Sequence, residues 1–440
     1  MSLPRREFLS LIASTPAALA MSSSHAAPAA PHEMAHVPWS RQAAIYQVNV
    51  RQYTAQGTLE AAMAELPRLR AMGVDILWLM PLQPIGKLNR KGTLGSYYSI
   101  RDYTAVNPEF GTLDDARAFV QAAHAQGMKV ILDWVANHTA FDHPWAREHK
   151  DWYKLDAHGE IFPVTFNAGS PNEEHWSDVA ALNYDRPALR DAMIAAMRFW
   201  VREIDLDGFR CDVASLVPTP FWERARRELD AVKPMFMLAE SDAIELHRAA
   251  FDMTYSWDLA ELFRRIGGGR AGAAELRDWA AQEPHGYPSS AYRMRFTSNH
   301  DFNSWHGTDA ELYGAAYLPL AVLTFTLPGM PLIYGGQEAR LTKRLEFFEK
   351  DPIAWKTREL QPFYAELLAL KHRHPALAAG QYGGALKVLD VGNDRLFAFE
   401  RALAADKLTV IVNVTAAPQK YRLGGADDTL PPAGWRIVAA

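Results

Sequence analysis

Between Ala44 and Tyr334 the chain alternates short, almost wholly apolar runs with longer segments of helical spacing, and it does so eight times. Apolar runs without polar alternation mark strands buried on both faces, as in a parallel sheet. They lie at residues 44–50, 75–80, 129–133, 206–212, 235–240, 251–255, 292–297 and 331–334. Helical spacing is clearest at residues 59–72, 112–126, 187–204 and 221–232, and Gly73 and Gly127 close the first two. Eight such units over about 320 residues point to an α/β fold of the (β/α)8 TIM-barrel type, not an open doubly wound sheet. The barrel is expected over residues 41–365.

One connection breaks the rhythm. About fifty residues separate the third strand from the helix at 187, well beyond an ordinary βα loop. Residues 138–184 are therefore expected to form an inserted subdomain, rich in Trp, His, Asp and Gly. Near the C-terminus the texture changes to short alternating runs, such as Leu396 to Glu400 and Leu408 to Asn413, set between Gly, Pro and Asp turns. This predicts a C-terminal antiparallel β-sandwich domain over residues 366–440.

The N-terminus is an address, not structure. Arg5 and Arg6 precede a short apolar run from Leu11 to Ala20 and small residues around Ala18 to Ala20 and Ser24 to Ala26. That order is expected of a bacterial twin-arginine signal over residues 1–26, directing a periplasmic or secreted protein. The apolar run is shorter than the ~20 residues that span a bilayer, so no membrane anchor is expected. Residues 27–40 are expected to be a linker. Within it, His32, Glu33 and His36 fit a zinc-protease spacing. They lie between a Pro/Ala-rich stretch and Pro38 with no amphipathic helix beneath them, so the zinc reading is rejected.

Composition narrows the chemistry. A single cysteine excludes an intramolecular disulfide framework and a cysteine-based zinc cluster. A net charge of −5, one unit more negative once residues 1–26 are removed, argues against nucleic acid as a partner.

Polar residues gather where a barrel keeps its active site, at the C-terminal strand ends. The third strand runs through Asp133 to His138, the fourth ends in Arg210, Cys211 and Asp212, the fifth in Glu240, and the seventh in Asn299, His300 and Asp301. Strand alternation puts Arg210 and Asp212 on one face and Phe209 and Cys211 on the other. With the apolar pair toward the helices, Cys211 is a buried structural residue and the charged pair faces the mouth. Acids from several strands beside an arginine and two histidines suit glycosidic cleavage by a carboxylate pair or metal-assisted hydrolysis.

These four segments, in this order and on these strands, resemble the conserved regions of the α-amylase family of glycoside hydrolases. The resemblance extends to Tyr98 through Tyr103, Asn107 through Thr112 and Pro328 through Tyr334, and covers Ala44 to about Trp355. It implies that Asp212 is the nucleophile and Glu240 the general acid/base, with Asp301 holding substrate hydroxyls and stabilising the transition state. It further implies that Arg210 keeps Asp212 ionised, that His138 and His300 donate to the same sugar, and that Tyr98 stacks beneath its ring. The reaction would be retaining, through a covalent glycosyl-enzyme, with carboxyls roughly 5–5.5 Å apart. The implied substrate is a starch-like α-glucan or maltooligosaccharide, cut at α-1,4 bonds by endo action.

Two departures from the family pattern bear on cofactors. Family members commonly tie the inserted subdomain to the barrel with calcium. Asn137 is retained here, but Ala181 stands where a carboxylate is often supplied, and Ser215 and Leu216 replace a basic residue and a histidine after the nucleophile. Calcium takes six to eight oxygen ligands, so these losses put the calcium site in doubt and no cofactor is expected to be required. They also touch the acceptor side, leaving an α-glucosidase or a glucanotransferase as alternatives in the same fold. More distant alternatives are a catalytically inactive barrel that binds glycans or proteins, which the three intact acids argue against, and a metal-dependent hydrolase, for which clustered histidines are lacking.

Overall fold

The computed structural model describes residues 34–439 except 168, 172, 284 and 285. The expected signal at 1–26 lies outside the described residues. Eight parallel strands close into a barrel: β1 (Ile45–Val48), β2 (Ile76–Leu79), β3 (Lys129–Trp134), β4 (Gly208–Cys211), β5 (Phe236–Ala239), β6 (Met253–Tyr255), β7 (Tyr292–Arg295) and β8 (Met330–Tyr334). Each pairs with its neighbours in sequence, and β1 pairs with β8 to complete the ring.

Strand alternation builds two cores from one sheet. Ile45, Ile76, Trp78, Ile131, Leu238, Tyr255, Met294 and Leu332 fill the barrel interior. Leu77, Leu79, Leu132, Phe209, Cys211, Met237 and Ile333 face outward into the helix layer. Phe209 and Cys211 therefore face the helices, and Arg210 between them points inward. Gly208 opens β4 because a Cβ there would lie 1.9 Å from the Phe236 carbonyl oxygen. Any side chain would push β4 off β5 and displace Arg210 with it.

The expected helix at 59–72 is two helices, Leu59–Met63 and Leu66–Met72. Pro67 sits in the first turn of the second, where its missing N–H costs nothing, but its ring and lost donor stop a continuous helix from passing through. The boundary expected between 365 and 366 falls inside a helix, Gln361–Arg373, which packs on the helices Leu66–Met72 and Tyr317–Thr326 of the barrel. The split thus comes after Arg373. Beyond it, a four-stranded antiparallel sheet (Ala385–Val388, Phe397–Leu403, Asp406–Val412, Trp435–Ala439) packs against a hairpin (Gln419–Leu423, Ala426–Leu430) through Leu396, Ala398, Ile411, Tyr421 and Leu430.

Residues 36–40 are not a free linker. Val37 and Ser40 are buried, and His36 stacks on Tyr292 with ring centroids 4.3 Å apart. Its Nδ1 lies 2.7 Å from Asp252 Oδ1 and its Nε2 2.7 Å from the Ser290 carbonyl oxygen. The segment stoppers the N-terminal end of the barrel, and His36 is spent on that contact, not on metal.

The long connection after β3 carries a three-stranded antiparallel sheet with Glu174–Ala181 in the middle, flanked by His138–Thr139 and Pro163–Phe166. His138 pairs with Ala181, so the first inserted strand begins four residues after the end of β3. Among the described residues no helix is long and apolar enough to cross a membrane.

Candidate active site

At the C-terminal end of the barrel the site is organised around one cation. Arg210 is fully buried on β4, and its Nη1 donates to Asp133 Oδ1 at 2.8 Å and to Asp212 Oδ1 at 3.0 Å. Its Nε reaches the Tyr255 hydroxyl at 3.2 Å, and its Nη2 lies 3.0 Å from Glu240 Oε2, at ion-pair separation though off the hydrogen-bonding axis. Burial works against the charge, but Asp133 and Glu240 outweigh it and keep the guanidinium protonated. One rigid, planar group thus fixes two of the predicted acids relative to each other.

Glu240 follows β5 and is held from a second side. Val213, the residue after Asp212, adopts φ +36° and ψ +48°, a left-handed conformation that a β-branched residue strongly disfavours. Such strain costs roughly 1–3 kcal/mol and persists only where surrounding structure enforces it. Here it aims the Val213 N–H at Glu240 Oε2, 2.8 Å away. Burial raises the Glu240 carboxyl to about 7; Arg210 opposes the rise, while the charges of Asp212 and Asp301 add to it. A glutamate at that value carries a proton through the weakly acidic range.

A hydrogen-bond relay supports the histidine at the end of β7. Gln47 Oε1 accepts the His300 backbone N–H at 3.3 Å, which fixes the amide so that its Nε2 donates to His300 Nδ1 at 2.7 Å. His300 therefore carries its proton on Nε2, which lies 2.7 Å from the Tyr98 hydroxyl and 3.2 Å from Asp301 Oδ2. Tyr98 in turn donates to Asp133 Oδ2 at 3.1 Å, which also accepts the Trp78 indole N–H at 3.1 Å. Burial, reinforced by Asp133, holds the Tyr98 phenol well above its usual range, so it stays a donor. Its ring lies nearly parallel to His300, centroids 5.6 Å apart.

Six of the seven predicted site residues, Tyr98, Arg210, Asp212, Glu240, His300 and Asp301, are thus joined in one network of contacts. Asp212, Glu240 and Asp301 keep partly exposed carboxyls (11%, 14% and 16%), whereas Arg210 behind them is sealed. His138 sits on the inserted strand, with Asn137 Nδ2 3.2 Å from its Nδ1 and the Trp176 ring edge-on at 5.8 Å. Sequence reasoning assigned no role to Gln47, Trp78, Asp133, Tyr255 or the Val213 N–H, all of which position the charged groups. For Gln47 the only trace in the sequence is an amide within an otherwise apolar strand; its full burial, and with it the need for a partner, comes from the fold.

Of the positions that the family resemblance ties to calcium, two bring no side-chain oxygen. Ala181 is buried and brings no side-chain oxygen, and Leu216 is an exposed hydrocarbon on the turn after Val213. The Asn137 amide nitrogen lies 3.2 Å from His138 Nδ1. Among the described residues no group of three or more His, Cys, Asp or Glu is placed to hold a metal ion, and calcium takes six to eight oxygens.

A closed barrel whose strand ends bring three carboxyls around one arginine, one of them poised near neutrality, defines a glycoside hydrolase site. A family model described as the alpha-amylase catalytic domain matches residues 40–233. The crystal structure of an α-amylase from Lactobacillus plantarum is 31% identical with a TM-score of 0.81, over 91% of this chain and 99% of that one. The chain belongs to the α-amylase family. A maltogenic α-amylase, AmyB from Thermotoga neapolitana, is 28% identical with a TM-score of 0.78, over 91% of this chain and 96% of that one. The α-amylase MalA of Haloarcula japonica is 29% identical over 413 residues, covering 89% of this chain but 58% of the relative's length.

Proposed function

We propose that this protein hydrolyses α-1,4-glucosidic bonds in starch-like α-glucans or maltooligosaccharides with retention of configuration. The observation that carries the reading is the placement of two carboxyls on one guanidinium, one of them poised near neutrality. Glu240 is raised to about 7 and can hold a proton, while Asp212 Oδ1 accepts an Arg210 N–H at 3.0 Å. In the first step Glu240 gives its proton to the glycosidic oxygen as that bond breaks, and Asp212 attacks the anomeric carbon to form an ester. In the second, Glu240 takes a proton from water, the water oxygen attacks the same carbon, and Asp212 leaves. Asp301 and His300 hold the hydroxyls of the sugar being cleaved, Arg210 fixes the acids, Tyr98 lies beneath the ring, and His138 bonds from the inserted strand.

Product analysis over time on soluble starch and on maltose tests this. Release of reducing sugar from starch is expected; glucose from maltose would indicate an α-glucosidase, and lengthened chains a glucanotransferase. No product from any α-glucan would overturn the reading. The proposed reaction runs without calcium, a reading supported by Ala181, Ser215 and Leu216 where the family pattern has other residues. Activity is therefore expected to survive exhaustive chelation, and a complete loss restored by added calcium would refute it. We also propose twin-arginine export to the periplasm or beyond, supported by Arg5, Arg6 and the apolar run after them; a fusion of residues 1–33 to a reporter should carry it out of the cytoplasm only while both arginines are intact.

A further inference from the structure

In a closed ring of eight, the strand that carries Glu240 stands opposite β1. The leaving sugar departs on the side of the group that protonates the bond. The rest of a bound glucan, its non-reducing portion, must therefore run from the attacked sugar toward β1. That side of the barrel mouth carries two joined loops. The loop after β2 (residues 86–95) and the loop after β8 (residues 341–351) meet above β1 and are joined there.

The joint is made three ways. The Leu94 N–H donates to the Phe348 carbonyl at 3.1 Å, and the Thr93 N–H to Glu349 Oε1 at 2.8 Å, with the Thr93 hydroxyl also on that carboxylate. Gly92, at φ +63°, lets the chains approach so closely that a Cβ would fall 2.5 Å from Phe348 Cβ. From below, two buried side chains just after β1 hold one loop each. Arg51 Nη1 donates to the Gly95 carbonyl at 2.9 Å, while Gln52 Nε2 donates to the carbonyls of Glu346 and Glu349 at 2.8 and 2.9 Å.

The wall continues to the inserted subdomain. Lys91 Nζ lies 2.8 Å from Asp178 Oδ1, whose side chain is 7% exposed. On the site side, Phe347 is buried nearly parallel to Tyr98 at 6.3 Å between centroids and edge-on to Tyr97 at 5.6 Å. Backbone bonds, a buried amide and an ion pair thus run unbroken from the subdomain over β2 and β1 to β8.

We propose that this wall closes the non-reducing end of the substrate cleft, so that the enzyme removes a short saccharide of fixed length from chain ends and does not cut internal bonds. The proposal rests on the α-glucan reading above and departs from the endo action that the family resemblance implies. Its test compares p-nitrophenyl maltoheptaoside with the same compound capped by a benzylidene group on its non-reducing glucose. With wild-type enzyme, the uncapped chain should release unsubstituted saccharide of one size from the earliest time points, with the matching shortened nitrophenyl glycoside, and the capped chain should be cut slower by about tenfold or more. Comparable rates on both, or mixed early products, would overturn end-specificity while leaving the α-glucan reading intact. Turnover of neither would overturn both. In the double variant Lys91→Ala/Glu349→Ala, whose altered side chains are at least partly exposed, the capped-to-uncapped ratio should rise. An unchanged ratio in a variant that still cleaves the uncapped chain would remove the wall as the cause.

Discussion

Asp212→Asn is expected to lower hydrolysis of soluble starch by on the order of 10^4-fold or more, because it removes the group that forms the covalent intermediate. The substitution is close to isosteric. Its amide oxygen can still accept the Arg210 Nη1 hydrogen bond now made by Asp212 Oδ1 at 3.0 Å, and Arg210 keeps its bond to Asp133. The guanidinium therefore stays in place, and far-ultraviolet circular dichroism should be unchanged. What disappears is a carboxylate able to attack the anomeric carbon. The smaller variant Asp212→Gly in the presence of azide supplies a second readout. Azide entering the vacated space should attack from the same face and yield a β-glycosyl azide from an α-linked donor with an activated leaving group. Residual starch hydrolysis within tenfold of wild type would remove Asp212 as nucleophile.

Glu240→Gln should separate acid catalysis from the rest of the reaction. A general acid is worth roughly 10^2–10^4-fold where the leaving oxygen needs a proton. The loss should be of that order on starch and much smaller on an α-maltosyl fluoride, whose leaving group departs unaided. The pH profile carries the sign. Glu240 must be protonated to act and titrates at about 7, so wild-type kcat/KM should fall as pH rises through that value. The variant should lose this alkaline limb. Stability responds in the same window: a carboxyl raised from 4.5 to about 7 binds more protons folded than unfolded, so the fold loses stability as pH climbs between those values. The full effect is about 3 kcal/mol at most. An alkaline limb that survives in Glu240→Gln would assign the titration to another group.

The large features were readable because they are periodic. Eight apolar runs specified the barrel, and alternation within 208–211 already separated inward Arg210 from outward Phe209 and Cys211. The ordered polar strand ends named the charged residues. Single residues that support them gave no such signal. Gln47, Trp78 and Tyr255 each sit in an apolar strand, and only their neighbours in space, on other strands, reveal their partners. Local chemistry also overrode periodicity: Pro67 divides a helix that apolar spacing alone would run through. The helix Gln361–Arg373 straddles the predicted domain boundary because it belongs by packing to the barrel although it lies beside the β-rich segment in sequence. Residues 36–40 carry no repeat at all, and their role under the barrel follows only from the buried His36 and Asp252 pair.

Cys211, the only cysteine in the chain, lies wholly buried against the helices, and burial pushes its thiol well above the usual range. Alkylating reagents should find nothing to label on the folded protein. A cysteine introduced at Leu88, a position 55% exposed on the loop after β2, would then take a fluorophore at one defined point. The native enzyme is in this sense a blank background for one introduced label, and the dye's anisotropy with and without maltooligosaccharide would show whether that loop tightens as substrate arrives.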